Sequence, residues 1–160
     1  MKQRQRVQAV IIQNNKVLFG AGMMKGKDYR HFFIGGGVEE GDTLEEAIIR
    51  ELREEANVDG AIIFKFANEY KENHHTFLLD IGNQSTSLGY DPEDEEINKD
   101  KHLRTLQKLE FISFSEYNKF TSIDIMYFKI LLEECNRRCY LPEWYEELKK
   151  LVERDDHIAE

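Results

Sequence analysis

Glu51, Glu54 and Glu55 stand close together in the stretch GGGVEEGDTLEEAIIRELREEANVDG, residues 35–60, which opens on three glycines and reads as helix over most of its length. Carboxylates are hard oxygen donors of the kind that Mg²⁺ takes, and an ion so held can hold a phosphate that an acidic protein would repel. A helix turns about 100° per residue. With Glu51 as the zero direction, Leu44, Ile48, Ile49, Leu52 and Ala56 fill an arc from roughly 20° to 160°, while Glu54, Glu51 and Glu55 lie between about −60° and 40°. The acids border the apolar stripe instead of opposing it. Glu46, Arg50 and Arg53 take the solvated or lateral side, where Arg50 and Glu54 have the spacing of a helical ion pair. Glu51 and Glu55 are one turn apart, a like-charge spacing that costs an isolated helix roughly 0.2–0.5 kcal/mol unless something compensates. A divalent cation would do so; a solvated acidic face is the plainer reading. Gly35, Gly36 and Gly37 let backbone approach a ligand and expose carbonyls or amides, although hairpins and bulges use glycine too. The lysine-bearing phosphate loop of nucleotide-binding ATPases is absent.

The elements that must position this segment follow from pattern. RVQAVIIQ, the turn pair Asn14 and Asn15, and KVLFGA predict a β-hairpin. Gly20 to Arg30 reads as loop, and HFFI, residues 31–34, as a short strand feeding a glycine loop. Thr43 with Glu46 forms a capping box, so a helix is expected from there to about Ala56, ended by Asn57 in the left-handed conformation. AIIFKFANEYK, HTFLLDIG and KLEFISF predict three further strands, with ENHH as a turn and SEYNKF as a short helical turn. Residues 83–101 read as a long polar surface loop. Apolar spacing predicts helices over 123–140 and from Pro142 to about Arg154. The order fits one domain over residues 1–160, an α+β fold or α/β/α sandwich with C-terminal helices from about 123. Those helices cover the sheet or make a homodimer.

With 22 Lys plus Arg against 31 Asp plus Glu, the chain carries a formal charge of −9, which argues against a nucleic-acid duplex as partner. The apolar run behind the basic start MKQRQR is too short for a membrane span and lacks a small-residue cleavage site, so the chain reads as cytoplasmic. Cys135 and Cys139 fall in an expected helix at a spacing that can share one face, and read as reduced thiols.

The glycine-to-helix segment resembles the signature of the MutT/Nudix hydrolases: G, five residues, E, seven residues, R-E, a bulky apolar residue, any residue, E-E, any residue, G, and a bulky apolar residue. Gly36, Arg50, Glu51, Leu52, Glu54, Glu55 and Val58 take their places in it. Asp42 stands for the first glutamate, which keeps the charge but shortens its reach toward Arg50. Asn57 stands for the last glycine and can adopt the same backbone shape, and Ile34 stands where the family often has proline. The resemblance implies an α/β/α sandwich and a Mg²⁺- or Mn²⁺-dependent hydrolase in which the Gly35 carbonyl and Glu51, Glu54 and Glu55 bind the metal. It implies water attack on phosphorus of a nucleoside diphosphate linked to another group. Glu54 or Glu51 would act on the water and Arg50 would organise the carboxylates. A nucleoside triphosphate and a nucleotide sugar such as ADP-ribose remain open as substrates. A non-catalytic nucleotide-binding regulator on the same fold is the alternative. An allylic-diphosphate isomerase would need further Cys and Glu positions that are not found.

Other residues invite readings of their own. Glu93, Asp94, Glu95 and Glu96 could add a metal ligand from the polar loop or be merely solvated. Tyr29, Arg30, His31 and Phe33 precede the motif and could meet a base or phosphate, or pack. Adjacent His74 and His75 should diverge, which argues against a two-histidine metal site. Trp144 and Tyr145 read as packing residues.

Overall fold

The computed structural model describes residues 4–24, 28–89 and 104–159. Its strands are β1 (Arg6–Gln13), β2 (Lys16–Met24), β3 (Asp28–Phe32), β4 (Ile34–Gly37), β5 (Ala61–Lys65), β6 (His74–Asp80) and β7 (Lys108–Ser113). Its helices are α1 (Leu44–Ala56), α2 (Ser122–Arg137) and α3 (Tyr145–Ala159), with a 3₁₀ turn at Tyr117–Lys119. The strands form one mixed sheet in the order β3, β2, β1, β6, β5, with β4 added to β1 and β7 to β2. β1 runs parallel to β6, and the other pairings are antiparallel.

Alternation along β1 builds two cores. Val7, Ala9 and Ile11 meet Ile48, Leu52 and Ala56 of α1. Val10 and Ile12 meet Phe128 and Leu131 of α2 and Leu148, Leu151 and Val152 of α3. The result is an α+β sandwich of helix, sheet and helices. The C-terminal helices thus cover one sheet face. Among the described residues no helix is long and apolar enough to cross a membrane.

The hairpin turn forms as expected, with Asn14 and Asn15 at φ 54° and 59°. Five expectations change. The region 20–30 is mostly strand: β2 runs on to Met24 and β3 begins at Asp28. Gly20 and Gly22 serve here as contact points, since a Cβ at Gly20 would come within 2.7 Å of the Phe32 ring and one at Gly22 would strike the Thr105 carbonyl. HFFI splits at Phe33, where the chain leaves its pairing with β2 (Phe32 opposite Gly20) and enters pairing with β1 (Ile34 opposite Ala9). Gly35, Gly36 and Gly37 are themselves strand, paired to Gln8, Val7 and Arg6. The last helix starts at Tyr145, three residues beyond Pro142. Cys135 is buried within α2 while Cys139 lies past its end, exposed at φ 54°, so the two share no helix face; both are free thiols, and burial pushes Cys135 up to about 11.

Candidate active site on the glycine strand and the first helix

The α1 helix is fixed at both ends. Thr43 accepts from the Glu46 N–H and Glu46 accepts from the Thr43 N–H, each at 3.1 Å. At the other end Asn57 adopts φ 55° and its N–H donates to the Arg53 carbonyl at 3.1 Å. The polar segment behind β6 completes this cap: Ser87 N–H donates to the Ala56 carbonyl at 3.1 Å and Gly89 N–H to the Glu55 carbonyl at 2.8 Å. Sequence reasoning missed that role. Its one available signal is Gly89, where a Cβ would strike the Glu54 carbonyl.

On this helix Glu51 and Glu55 are buried, at 8% and 2% exposure, and Glu54 is half-buried. A Cβ at Gly36 would lie 2.6–2.7 Å from the Glu51 carboxylate atoms, so the missing side chain on β4 is what makes room for that acid. On the next residue the same device recurs: the Arg4 guanidinium occupies the space of a Gly37 side chain. All three glutamates also make polar contacts within the protein. Among the described residues no three His, Cys, Asp or Glu side chains gather closely enough to enclose an ion.

Arg50 ties the loop to the helix. It pairs with Glu39 and Asp42 at 3.0 Å each, approaches Glu51 at 3.7 Å, and donates to the Gly37 carbonyl at 3.4 Å. The shorter Asp42 therefore reaches its arginine. Glu39 is a further partner that sequence reasoning did not single out.

The remaining candidates go elsewhere. Arg30 pairs with Asp28 at the surface, and the exposed Tyr29 ring has the Lys108 ammonium 5.8 Å from its centre. Phe33 is core, and Trp144 packs against the same cluster. Glu93, Asp94, Glu95 and Glu96 lie outside the described residues. His75 sits between Gln5 (2.5 Å) and Glu69 (2.8 Å), while strand alternation sends His74 to the other face.

His31, half-buried, pairs with the buried Asp124 of α2 at 2.6 Å, its ring 4.3 Å from that of Phe19. The Asp124 hydrogen bond, backed by the charges of Asp124 and Glu110, raises the imidazole above the ordinary histidine range against the pull of burial. A folded-state pKa above the unfolded value means that the stabilisation is complete below about pH 6.5 and is lost as pH rises through the folded value. Urea midpoints of the wild type are expected to fall across that window, and those of His31→Gln to show a flatter dependence; equal slopes would remove the assignment.

The model of the NUDIX domain family matches residues 2–130. The chain belongs to this family. As a Nudix protein it is a hydrolase acting on pyrophosphate bonds. No curated protein matches the sequence. Among solved structures, a NUDIX hydrolase from Nitrosomonas europaea resembles this chain with a TM-score of 0.62 at 17% identity, covering 81% of this chain and 88% of that one. A NUDIX-family hydrolase from Clostridium perfringens gives 0.55 at 18%, covering 82% and 97%. A bifunctional NMN adenylyltransferase/ADP ribose pyrophosphatase from Francisella tularensis, complexed with AMP and a Mn ion, gives 0.61 at 21%, covering 84% of this chain and 42% of that one. At these identities the likeness is one of fold, and it includes the three layers and the mixed sheet.

Proposed function

We propose that this Nudix chain is a Mg²⁺-dependent pyrophosphohydrolase, able to use Mn²⁺, that cleaves a nucleoside diphosphate linked to another group by water attack on phosphorus. The observation that carries the reading is Glu51 seated in the notch left by Gly36, with Glu55 buried one turn on and Glu54 beside it. Carboxylate and carbonyl oxygens suit a hard divalent cation. Burying like charges one turn apart is costly unless positive charge reaches them. Arg50 brings positive charge to Glu51 at 3.7 Å, and a divalent cation would bring more to the group of carboxylates.

The Gly35 carbonyl and the carboxylates of Glu51, Glu54 and Glu55 would hold the ion. When bound, it would neutralise charge on the phosphate oxygens and lower the pKa of the attacking water. Glu54 or Glu51 takes the proton as the water oxygen bonds to phosphorus and the bridging P–O bond breaks, which leaves two phosphorylated products. Arg50 is a positioning residue: its guanidinium holds Glu39, Asp42 and the Gly37 carbonyl around the strand-to-helix turn. Nucleoside triphosphates and nucleotide sugars are the two substrate classes that fit. The Francisella protein, of which this chain covers 42%, is complexed with AMP and a Mn ion, in keeping with a nucleotide substrate and a divalent metal.

The test is turnover of a panel of nucleoside triphosphates, dinucleoside polyphosphates and nucleotide sugars with Mg²⁺ or Mn²⁺, repeated with excess chelator. Hydrolysis of at least one compound that the chelator abolishes is the expected result. Tight nucleotide binding without metal-dependent turnover of any compound would make the chain a regulator instead.

A further inference from the structure

β4 is four residues long and three of them are glycine, so a shift of one residue would still present a glycine to Glu51. Register is weakly specified where a strand has few side chains to tell its positions apart. Ile34 and Val38 seat the segment in the core over α1, but apolar contact is non-directional. Directional contacts stand at the two ends. Beyond Gly36, the Val38 N–H donates to the Gln5 carbonyl at 2.8 Å and Arg50 donates to the Gly37 carbonyl at 3.4 Å. Before Ile34, where the chain passes from its pairing with β2 to its pairing with β1, α2 meets it.

Two side chains of this incoming segment are held by α2. Phe33 packs edge-on against Tyr127 at 5.4 Å and Phe128 at 6.3 Å. His31, four residues before Gly35, places Nε2 2.6 Å from Oδ2 of Asp124. The same oxygen accepts from the Thr121 N–H at 2.9 Å, and the Asp124 N–H donates to Thr121 Oγ1 at 3.1 Å, so the cap of α2 fixes this carboxylate where it takes the imidazole. A fixed, charged acceptor gives a short and directional bond. His31 thus ties the entry of the glycine strand to α2, as Arg50 ties its exit to α1. The groups facing His31 are Asp124 from α2, Glu110 from β7 and the Phe19 ring from β2. The Asp124 hydrogen bond and the two carboxylate charges favour the protonated ring against burial, so the link is complete on the acid side and weakens as pH rises through the folded value.

We propose that His31 and Asp124 are positioning residues for the active site: their link between β3 and α2 holds the glycine strand so that Gly36 stays against Glu51 and the Gly35 carbonyl keeps its place beside it. Both act through the strand. The consequence for metal binding rests on the pyrophosphohydrolase reading, whereas the hold on the strand does not.

Two measurements on the full chain from about pH 6 to about pH 9 provide the test: amide hydrogen exchange by NMR, each rate taken relative to the intrinsic rate at that pH, and Mn²⁺ titration followed by electron paramagnetic resonance. In Asp124→Asn, whose amide oxygen still caps α2, the Ile34–Gly37 amides are expected to exchange about tenfold faster than in the wild type at the acid end, while the amides paired between β5 and β6 keep their rates. Tenfold is the lower end of what a hydrogen bond to a charged group is worth. The same variant should bind Mn²⁺ about tenfold more weakly, as when a partner behind a metal ligand is removed. Both ratios should shrink toward one as pH rises and His31 loses its proton. His31→Gln, which can donate to Asp124 without titrating, should keep the acid-side protection and affinity across the range. Equal acceleration in β5 and β6 would make the pair a general stabiliser, and unchanged exchange at Ile34–Gly37 would remove the hold on the strand. Unchanged Mn²⁺ affinity beside faster exchange would remove the positioning role, and ratios that ignore pH would take His31 out of the link. Any of these overturns the proposal. A wild type that binds no Mn²⁺ overturns the metal-dependent reading of the site instead, and the exchange ratios still decide the link.

Discussion

Glu54→Gln and Glu55→Gln should each lower the kcat of metal-dependent hydrolysis by about 10²–10⁴-fold, the range over which a general base or charge-stabilising group acts, without lowering the melting temperature. The substitution is nearly isosteric, so the 2%-exposed site of Glu55 loses charge and not volume. Removing that charge relieves repulsion with Glu51 one turn away, worth roughly 0.2–0.5 kcal/mol on a helix surface. The glutamine amide keeps one acceptor oxygen for the polar contacts that these glutamates make within the protein, whereas an acid whose role is to hold charged partners loses stability when it is neutralised. The pairing of lost turnover with unchanged or raised stability is therefore the mark of residues kept for chemistry at some cost to the fold. Steady-state kinetics at saturating Mg²⁺ beside a thermal melt of each variant measure both arms. Full turnover, or a melt lowered in step with the lost activity, would move these glutamates to the structural class.

Local chemistry made α1 legible from sequence. Thr43 and Glu46, Asn57, and the angular placement of the acids beside Ile48, Leu52 and Ala56 all lie within one segment and act over a few residues. The hairpin at Asn14 and Asn15 was legible for the same reason. What lay beyond local pattern depended on contacts between distant segments. Gly35, Gly36 and Gly37 have no intrinsic preference for strand, and they form one because β1 offers an edge while Glu51 and Arg4 use the space of the missing side chains. Gly20 and Gly22 look like loop residues until the chain at Thr105 and Leu106 is laid across them. His31 and Asp124 are separated by 93 positions, and neither residue type announces the other. The site divides along the same line. The three glutamates and Arg50 were recognisable by spacing, whereas Glu39 on Arg50 and the cap from Ser87 and Gly89 appear only once the sheet is assembled.

Glu134 supplies the contrast to the α1 acids and the largest expected effect on stability. It is 1% exposed, on the opposite face of the sheet from Glu51, and accepts from the Ala67 N–H at 3.1 Å and from the Asn68 N–H at 3.4 Å. Arg137 pairs with it at 2.6 Å, and Arg138 pairs with it as well while donating to the Lys65 carbonyl at 3.0 Å and lying over the Phe64 ring. Burial alone would push this carboxyl up; the Arg138 and Ala67 hydrogen bonds and the two arginine charges outweigh it and hold the group below the usual carboxylate range. In Glu134→Ala the arginines can turn to solvent, but the Ala67 and Asn68 N–H groups lose a charged acceptor, and a hydrogen bond to a charged group is worth about 1.5–3 kcal/mol. The expected loss is about 3 kcal/mol, or roughly 6–12 °C in Tm for a chain of this size. Because the folded pKa lies below the unfolded one, the stabilisation is present above about pH 4.5 and fades as pH falls through the folded value, so the deficit of Glu134→Ala should shrink on acidification. Urea melts of both proteins from neutral pH downward read this directly, with kcat near 20 °C, well below either melt, expected to match the wild type; a deficit that stays constant with pH would assign the loss to packing and not to the carboxylate.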